Sequence, residues 1–371
     1  MIPMPLRRAA RCTLLLLLLV SAACERQVAE TRPTIPLVRL ILSGKSDLRA
    51  QSLRDRAPRP SEDIAIIGTE FACDRLAEQL SFLDIKDNVD ARDIPDGLPD
   101  FAGETFVCIG DAVPYADVLR DGTEEDLRRQ TVLRVLAALD TVVHISPYDL
   151  EGLANKASSK IVILADPYLA EYGAFDVDTL FRTLGCHIPV YCPIEQMIDR
   201  TFDEGGRADL SVGILCDPQF DSTGLYERIF ARKAAERGIK GASCVVASAS
   251  QRDSVLHHFL HRYVEDGHSK PLDAILIDDL SIRPEALKTE LAEIVSVMNE
   301  SSMTFGRLIS RDFFFLNAFD EVASSCYSYL RANNLFTHNI AKPQVSVYRP
   351  VARPESEDGS IILISGSYVQ N

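Results

Sequence analysis

From Asp63 onward the chain repeats one unit: a short run rich in Val and Ile, a polar turn, then a segment with helical spacing. The runs are Ile64–Gly68, Thr105–Ile109, Thr141–Ile145, Ile161–Leu164, Ile188–Tyr191, Val212–Leu215, Ser243–Ala247, Ala274–Ile277 and Gly306–Ile309. They are apolar almost without a break. Strict alternation would mark strands with one wet face, whereas continuous runs mark strands covered on both faces, as in a parallel sheet between helices. The intervening segments agree. Glu124 to Leu139 aligns Leu127, Val132, Leu133, Val135 and Leu136, Leu225 to Gly238 aligns Ile229, Phe230 and Ala234, and Arg283 with Pro284 opens a helix through Met298. From Val212 on, successive runs are about 30 residues apart, the size of a βαβ unit. The predicted fold class is α/β, with two lobes of parallel sheet flanked by helices.

The rhythm breaks between Asp203 and Asp209, a polar stretch containing Gly205 and Gly206, which marks a crossover between domains. The division expected is a leader over 1–23, a linker and excursion over 24–60, an N-terminal lobe over 61–205, a C-terminal lobe over 206–335 and a returning tail over 336–371. That tail holds two further strand-like pieces, Gln344–Tyr348 and Ile361–Ser365, suited to covering a sheet edge.

The leader has three zones: a basic stretch with Arg7, Arg8 and Arg11, the apolar run Leu14 to Val20, and the small residues Ser21, Ala22 and Ala23 before Cys24. The apolar run is too short for a membrane helix and has the flanks of a secretory signal. No later run approaches the roughly 18 apolar residues that a span requires. The net charge is −15, and loss of the three leader arginines makes the chain more acidic still, which argues against binding nucleic acid. Cys73, Cys108, Cys186, Cys192, Cys216, Cys244 and Cys326 are odd in number, so free, mostly buried thiols are expected.

Familiar catalytic signatures are missing. Ser43, Gly44, Lys45 and Ser46 have the wording of a P-loop end, but Arg39 stands where its first glycine belongs. His257 and His261 share a helical face opposite the apolar stripe of Val255, Phe259, Leu260 and Tyr263, which makes them a solvated pair. What does recur is an acid where a strand ends: Glu70, Asp111, Asp166, Asp217, Asp278 with Asp279, and Asp312 after Arg311. Ligands of open parallel sheets bind beyond the C-terminal strand ends, near the free N–H groups of helix N-termini. The same acids also serve as helix caps. Tyr168 and Phe220 follow two of them closely enough to sandwich a ring. The expected ligand-binding set is Asp111, Asp166, Tyr168, Asp217, Phe220, Asp278 and Asp312, with no catalytic residue, metal cluster or cofactor assigned.

The leader ending on Cys24 resembles the lipobox of bacterial lipoproteins, which implies acylation of Cys24. Followed by two sets of βα units, a polar crossover and a returning tail, it resembles the type I periplasmic-binding fold of substrate-binding lipoproteins over roughly residues 60–340. That resemblance implies a small polar ligand, nucleoside- or sugar-like, held in a cleft between lobes. It also implies an ABC transporter permease as partner, and a cell-envelope, extracytoplasmic location with the lipid as the only membrane contact. A surface-anchored hydrolase using the strand-end carboxylates is the alternative. Three or more of them gathered within about 5 Å as a metal nest is the feature that separates the two.

Overall fold

The computed structural model describes residues 32–44, 46–149, 151–154, 156–248, 254–282, 284–301, 307–339, 341–353 and 360–366. The leader 1–23 and Cys24 lie outside these residues, as do Lys45, Arg283 and Gly306. The chain divides into two units, Met1–Pro33 and Thr34–Asn371, and the second holds every described helix and strand.

Two separate sheets form within that unit. The first has six strands in the order β12-β11-β2-β1-β5-β6, with β1 at Asp63–Thr69, β2 at Thr105–Asp111, β5 at Ser159–Leu164, β6 at Val190–Tyr191, β11 at Gln344–Ala352 and β12 at Ile361–Ser365. All its neighbours are parallel except β12, which runs antiparallel to β11. The second has the order β10-β9-β7-β8, all parallel, from β7 at Ser211–Cys216, β8 at Ser243–Ser248, β9 at Leu272–Asp278 and β10 at Ile309–Asn317.

The reason these runs are apolar throughout is visible in β1. Ala65 and Ile67 face one core, and Ile64 and Ile66 face another on the opposite side of the same sheet. The first core is continuous from Val107 and Leu133 beside the first sheet to Val212, Phe230 and Leu276 beside the second. A third, behind the second sheet, gathers Leu215, Phe259, Ile275 and Leu287.

The helices are α1 Pro36–Ser43, α2 Leu48–Leu53, α3 Glu70–Phe82, α4 Tyr115–Asp121, α5 Glu124–Leu139, α6 Ala174–Leu184, α7 Pro193–Gly205, α8 Leu225–Glu236, α9 Val255–Glu265, α10 Pro284–Ser301 and α11 Ala318–Ala332. None is long and apolar enough to cross a membrane among the described residues. Residues 36–53 form helices α1 and α2, packed against α6. The chain passes from the first sheet to the second through α7 and returns through α11. These two crossing helices pack together, and Ser325 Oγ donates to Gln196 Oε1 at 2.9 Å.

Two differences from the sequence expectation have physical causes. The run at 141–145 gives only Val142–Val143 (β3), in a small antiparallel pair with Leu153–Ala154 (β4). It meets the first sheet through a single bridge from His144 to Ile364, so it is an outboard hairpin and not a sheet strand. The strand placed at 306–309 instead runs from Ile309 to Asn317, because Phe313, Phe314, Phe315 and Leu316 carry it on. Asp312 therefore lies within β10, at an irregularity between Ile309 and Phe314, and is exposed. The seven cysteines from Cys73 to Cys326 are all free.

Candidate functional site

The C-terminal ends of β2, β5 and β9 bring Asp111 and Asp166 of the first sheet toward Asp278 of the second. Each acid arrives by a local rule. Asp166 and Asp217 precede prolines in the matching stretches at 161–168 and 212–219, and both adopt the same turn. Asp166 Oδ1 accepts the N–H of Tyr168 at 2.9 Å, and Asp217 Oδ1 accepts that of Gln219 at 3.0 Å. A carboxylate that binds the N–H two residues on is a turn-former, so both acids do the capping work expected of the residue type. Asp217 is half-buried in that role. Asp166 is only 4 % exposed.

The surroundings of Asp166 make its ionisation costly. Burial pushes its carboxyl up to about 7, the charges of Asp278 and Asp111 add to this, and the Tyr168 N–H opposes it. Asp278 is pushed up to about 6, again by burial first, with Asp279 and Asp217 adding and the Tyr226 hydroxyl opposing. That hydroxyl donates to Asp278 Oδ2 at 2.7 Å. A desolvated carboxyl beside like charges holds its proton to higher pH.

Asp111 sits in a different setting. Tyr115 donates to its Oδ2 at 2.6 Å, and the guanidinium of Arg134 grips both of its oxygens through Nε and Nη2. The remaining nitrogen, Arg134 Nη1, is buried without a partner among the described residues. Nearly all buried polar atoms are paired in folded proteins, so a buried donor left over needs an explanation.

The aromatic residues do not form a clamp. Tyr168 and Phe220 touch each other, with ring centres 5.9 Å apart and planes tilted by 50°. A guest ring between them would need roughly 7 Å, two van der Waals separations, so this pair is a wall. It continues on one side to Tyr172, stacked on Tyr168 at 6.3 Å, and on the other to Tyr226, edge-on to Phe220 at 6.0 Å. The chain of contacts Asp166, Tyr168, Phe220, Tyr226, Asp278 thus runs unbroken from one sheet to the other.

A π-helical turn, Leu169–Gly173, follows Tyr168 directly. Such turns are rare and concentrate at functional sites. Here it turns Glu171 and Tyr172 toward α8, where Arg232 pairs with Glu171 at 3.4 Å and Glu195 at 2.6 Å, and Arg228 reaches the Tyr172 hydroxyl at 3.3 Å. The turn fits closely on α5, since a Cβ at Gly173 would lie 2.3 Å from Thr131.

Asp312 does not join this group, because its strand runs on to Asn317. There Asn317 Oδ1 accepts the N–H of Phe319 and caps α11, one strand over from Asp278. Arg134 escapes a sequence reading based on strand ends. Its signal is that it interrupts the buried stripe Leu127, Thr131, Ala138 of α5, where a charge requires a partner. Among the described residues no three His, Cys, Asp or Glu side chains gather to hold a metal ion.

Two cavities lie elsewhere. One of about 610 Å³ between α10 and β10 is walled by Leu291, Phe313 and Phe315, and one of about 410 Å³ lies between α7 and α11. The first is mainly apolar, and the second is polar, lined by Asp199, Arg200, Asp203 and Glu321 with serines of α11.

No family model and no curated protein sequence matches the chain. Among solved structures it is similar to glutamate racemase from Francisella tularensis, at 13 % identity over 81 % of this chain and 91 % of that one, with a TM-score of 0.46. Glutamate racemase isoform RacE1 from Bacillus anthracis matches at 10 % identity over 78 % and 89 %, with a TM-score of 0.47. A LacI family transcription regulator from Clostridium acetobutylicum matches at 11 % identity over 82 % and 100 %, with a TM-score of 0.26.

Proposed function

We propose that this chain is a solute-binding protein that takes a small polar ligand between the C-terminal ends of its two sheets. The observation that carries the reading is the meeting of Asp166 and Asp278, from opposite sheets, beside a continuous wall of tyrosine and phenylalanine. Groups with perturbed ionisation, gathered from separate elements, mark functional sites more often than structural ones. Each carboxylate accepts one hydrogen bond within the protein, from the Tyr168 N–H and the Tyr226 hydroxyl, and a ligand's donors would add to these. Entry requires the lobes to part along the seam where Arg228 and Arg232 meet the π-helical turn. The lipid-modified Cys24, the envelope location and delivery to an ABC transporter permease complete the proposal, and they rest on the leader and on element order.

The test is a thermal-shift screen of the purified protein against nucleosides, sugars and amino acids, repeated with Asp166→Asn and Asp278→Asn. A true ligand at a hundred times its dissociation constant stabilises by about 2.7 kcal/mol. Each Asn variant is expected to weaken binding roughly ten- to a hundredfold, the worth of one charge-assisted bond. A ligand that binds both variants as tightly as it binds the native protein would place the site elsewhere.

A further inference from the structure

Helix α9 carries three of the chain's seven histidines. Its apolar stripe of Val255, Leu256, Phe259, Leu260 and Tyr263 is buried in the core behind the second sheet, together with Leu215 and Ile275. That packing fixes the rotation of the helix, so His257, His258 and His261 are all exposed. Side chains four apart on a helix are neighbours, whereas adjacent ones do not face each other. The rings of His257 and His261 accordingly stand side by side one turn apart, with centres separated by 6.4 Å and planes inclined by 33°.

The groups around this pair suit a cation. His261 Nδ1 lies 3.2 Å from Glu265 Oε2, one turn further on. A carboxylate only accepts, so Nδ1 carries the hydrogen and Nε2 keeps its lone pair. Metal-ligating histidines are oriented and made more basic by this same arrangement. Glu290 of α10 accepts the N–H groups of Leu256 and His257 at 3.1 and 2.9 Å, which brings a second carboxylate to the backbone that bears the His257 ring. Arg262, next to His261 in sequence, is engaged with Asp221 and Asp266 at 3.6 and 3.7 Å. His258 differs from the pair: its Nδ1 lies 2.9 Å from the Ser254 carbonyl oxygen, which ties that ring to its own turn of helix.

We propose that His257 and His261 form an exchangeable site for a divalent transition-metal ion of the zinc and nickel class, with two imidazoles from the chain and water in the remaining positions. An ion about 2.1 Å from one nitrogen of each ring sits about 3 Å from each ring centre, so a tetrahedral angle asks for centres roughly 5 Å apart. Small rotations of two exposed side chains close that gap from 6.4 Å. Among the described residues no third ligand of the His, Cys, Asp or Glu type joins the pair, so the ion exchanges with solvent, unlike a four-ligand structural zinc. Imidazole favours zinc, nickel and copper, while magnesium and calcium prefer oxygen ligands. An ion bound across one turn cross-links α9. The site is carried by the outer face of this helix and is independent of the reading given to the strand ends.

The experiment is titration calorimetry of the untagged full chain with zinc chloride and with nickel chloride at pH 7.5, beside the variants His257→Gln, His261→Gln and His258→Gln. All three side chains are exposed, and circular dichroism checks that the variants keep the native fold. The native protein is expected to bind zinc and nickel but not magnesium. Two imidazoles held one turn apart act as a chelate, so loss of either is expected to weaken binding roughly a hundredfold. His258→Gln is expected to change it by less than about twofold, since adjacent helical positions do not face each other. Glu265→Gln is expected to weaken it roughly tenfold, as loss of a group that orients a ligand does. Zinc should also raise the unfolding temperature of the native protein and leave that of His257→Gln unmoved. Absence of zinc and nickel binding overturns the proposal. Binding that survives in both His257→Gln and His261→Gln overturns it by placing the ion elsewhere, and a loss in His258→Gln as large as theirs overturns the assigned pair.

Discussion

Asp166 ends a strand of the first sheet and Asp278 ends a strand of the second, yet after burial and its own turn the charge of Asp278 is the foremost influence on Asp166. Residues 112 positions apart in sequence share one electrostatic environment only because the strand ends of both sheets point to the same place. The consequences below follow from that relationship and from the turn that flanks it.

Stability should depend on pH through Asp166 with a definite sign. Its folded carboxyl titrates at about 7, above the ordinary 3.8, so between those values the folded state holds more protons than the unfolded. Stabilisation is then fully present near pH 4 and is lost as pH rises through 7. Asp166→Asn removes the titration and keeps the turn. The variant is expected to match the native protein only below about pH 4 and to exceed it increasingly as pH rises toward 7, by roughly 2–4 kcal/mol at pH 8 in urea unfolding. A native-minus-variant difference that does not change with pH would show that Asp166 ionises freely.

Gly173→Ala tests the seating of the π-helical turn. The added methyl would meet the fully buried Thr131, which branches at Cβ and has no space to retreat. Overpacking of this kind costs about 1–3 kcal/mol. The double variant with Thr131→Ala is expected to recover part of that loss, and a single variant as stable as the native protein would contradict the close fit.

Glu171→Gln weakens the seam between the turn and α8 by removing the charge that Arg228 and Arg232 share. These pairs are partly exposed, so the global effect should be small, within about 1 kcal/mol. The local effect is expected in hydrogen exchange, with faster exchange of amides 168–173 in the variant and, in the native protein, at high salt. Unchanged exchange in both would mean that the seam does not hold the lobes together.

The architecture was legible in the sequence because burial on both faces of a strand leaves an unbroken apolar run, and Ile64–Gly68 and Val212–Leu215 could belong to nothing else. The acids at strand ends were legible for the same reason, since a strand that stops must turn and Asp is a good residue for turning. Asp312 was misplaced because Arg311 and Asp312 look like an ending, while the following phenylalanines extend the edge strand beyond them. The sequence presents Tyr168 and Phe220 as two sides of a slot, and only the packing of the two lobes decides that their rings meet. Arg134 was invisible to a search for strand ends, though a guanidinium on a buried helical stripe is itself a sign of a carboxylate opposite.

Cys24→Ser addresses the proposed anchor. With the cysteine in place the protein is expected in the detergent phase of a Triton X-114 partition, and the variant should move to the aqueous phase or remain as the longer precursor. Unchanged partitioning of the variant would refute lipid attachment at Cys24.

The most direct test of the convergence of the two sheets is a carbon-13 NMR titration of protein labelled at the aspartate carboxyls, with Asp166 and Asp278 assigned from their Asn variants. The result expected is two carboxyls titrating near 7 and 6, with Asp278→Asn moving the Asp166 titration downward because a neighbouring negative charge has gone. Titration of both in the ordinary range near 4, with Asp166 unmoved by the loss of Asp278, would contradict it.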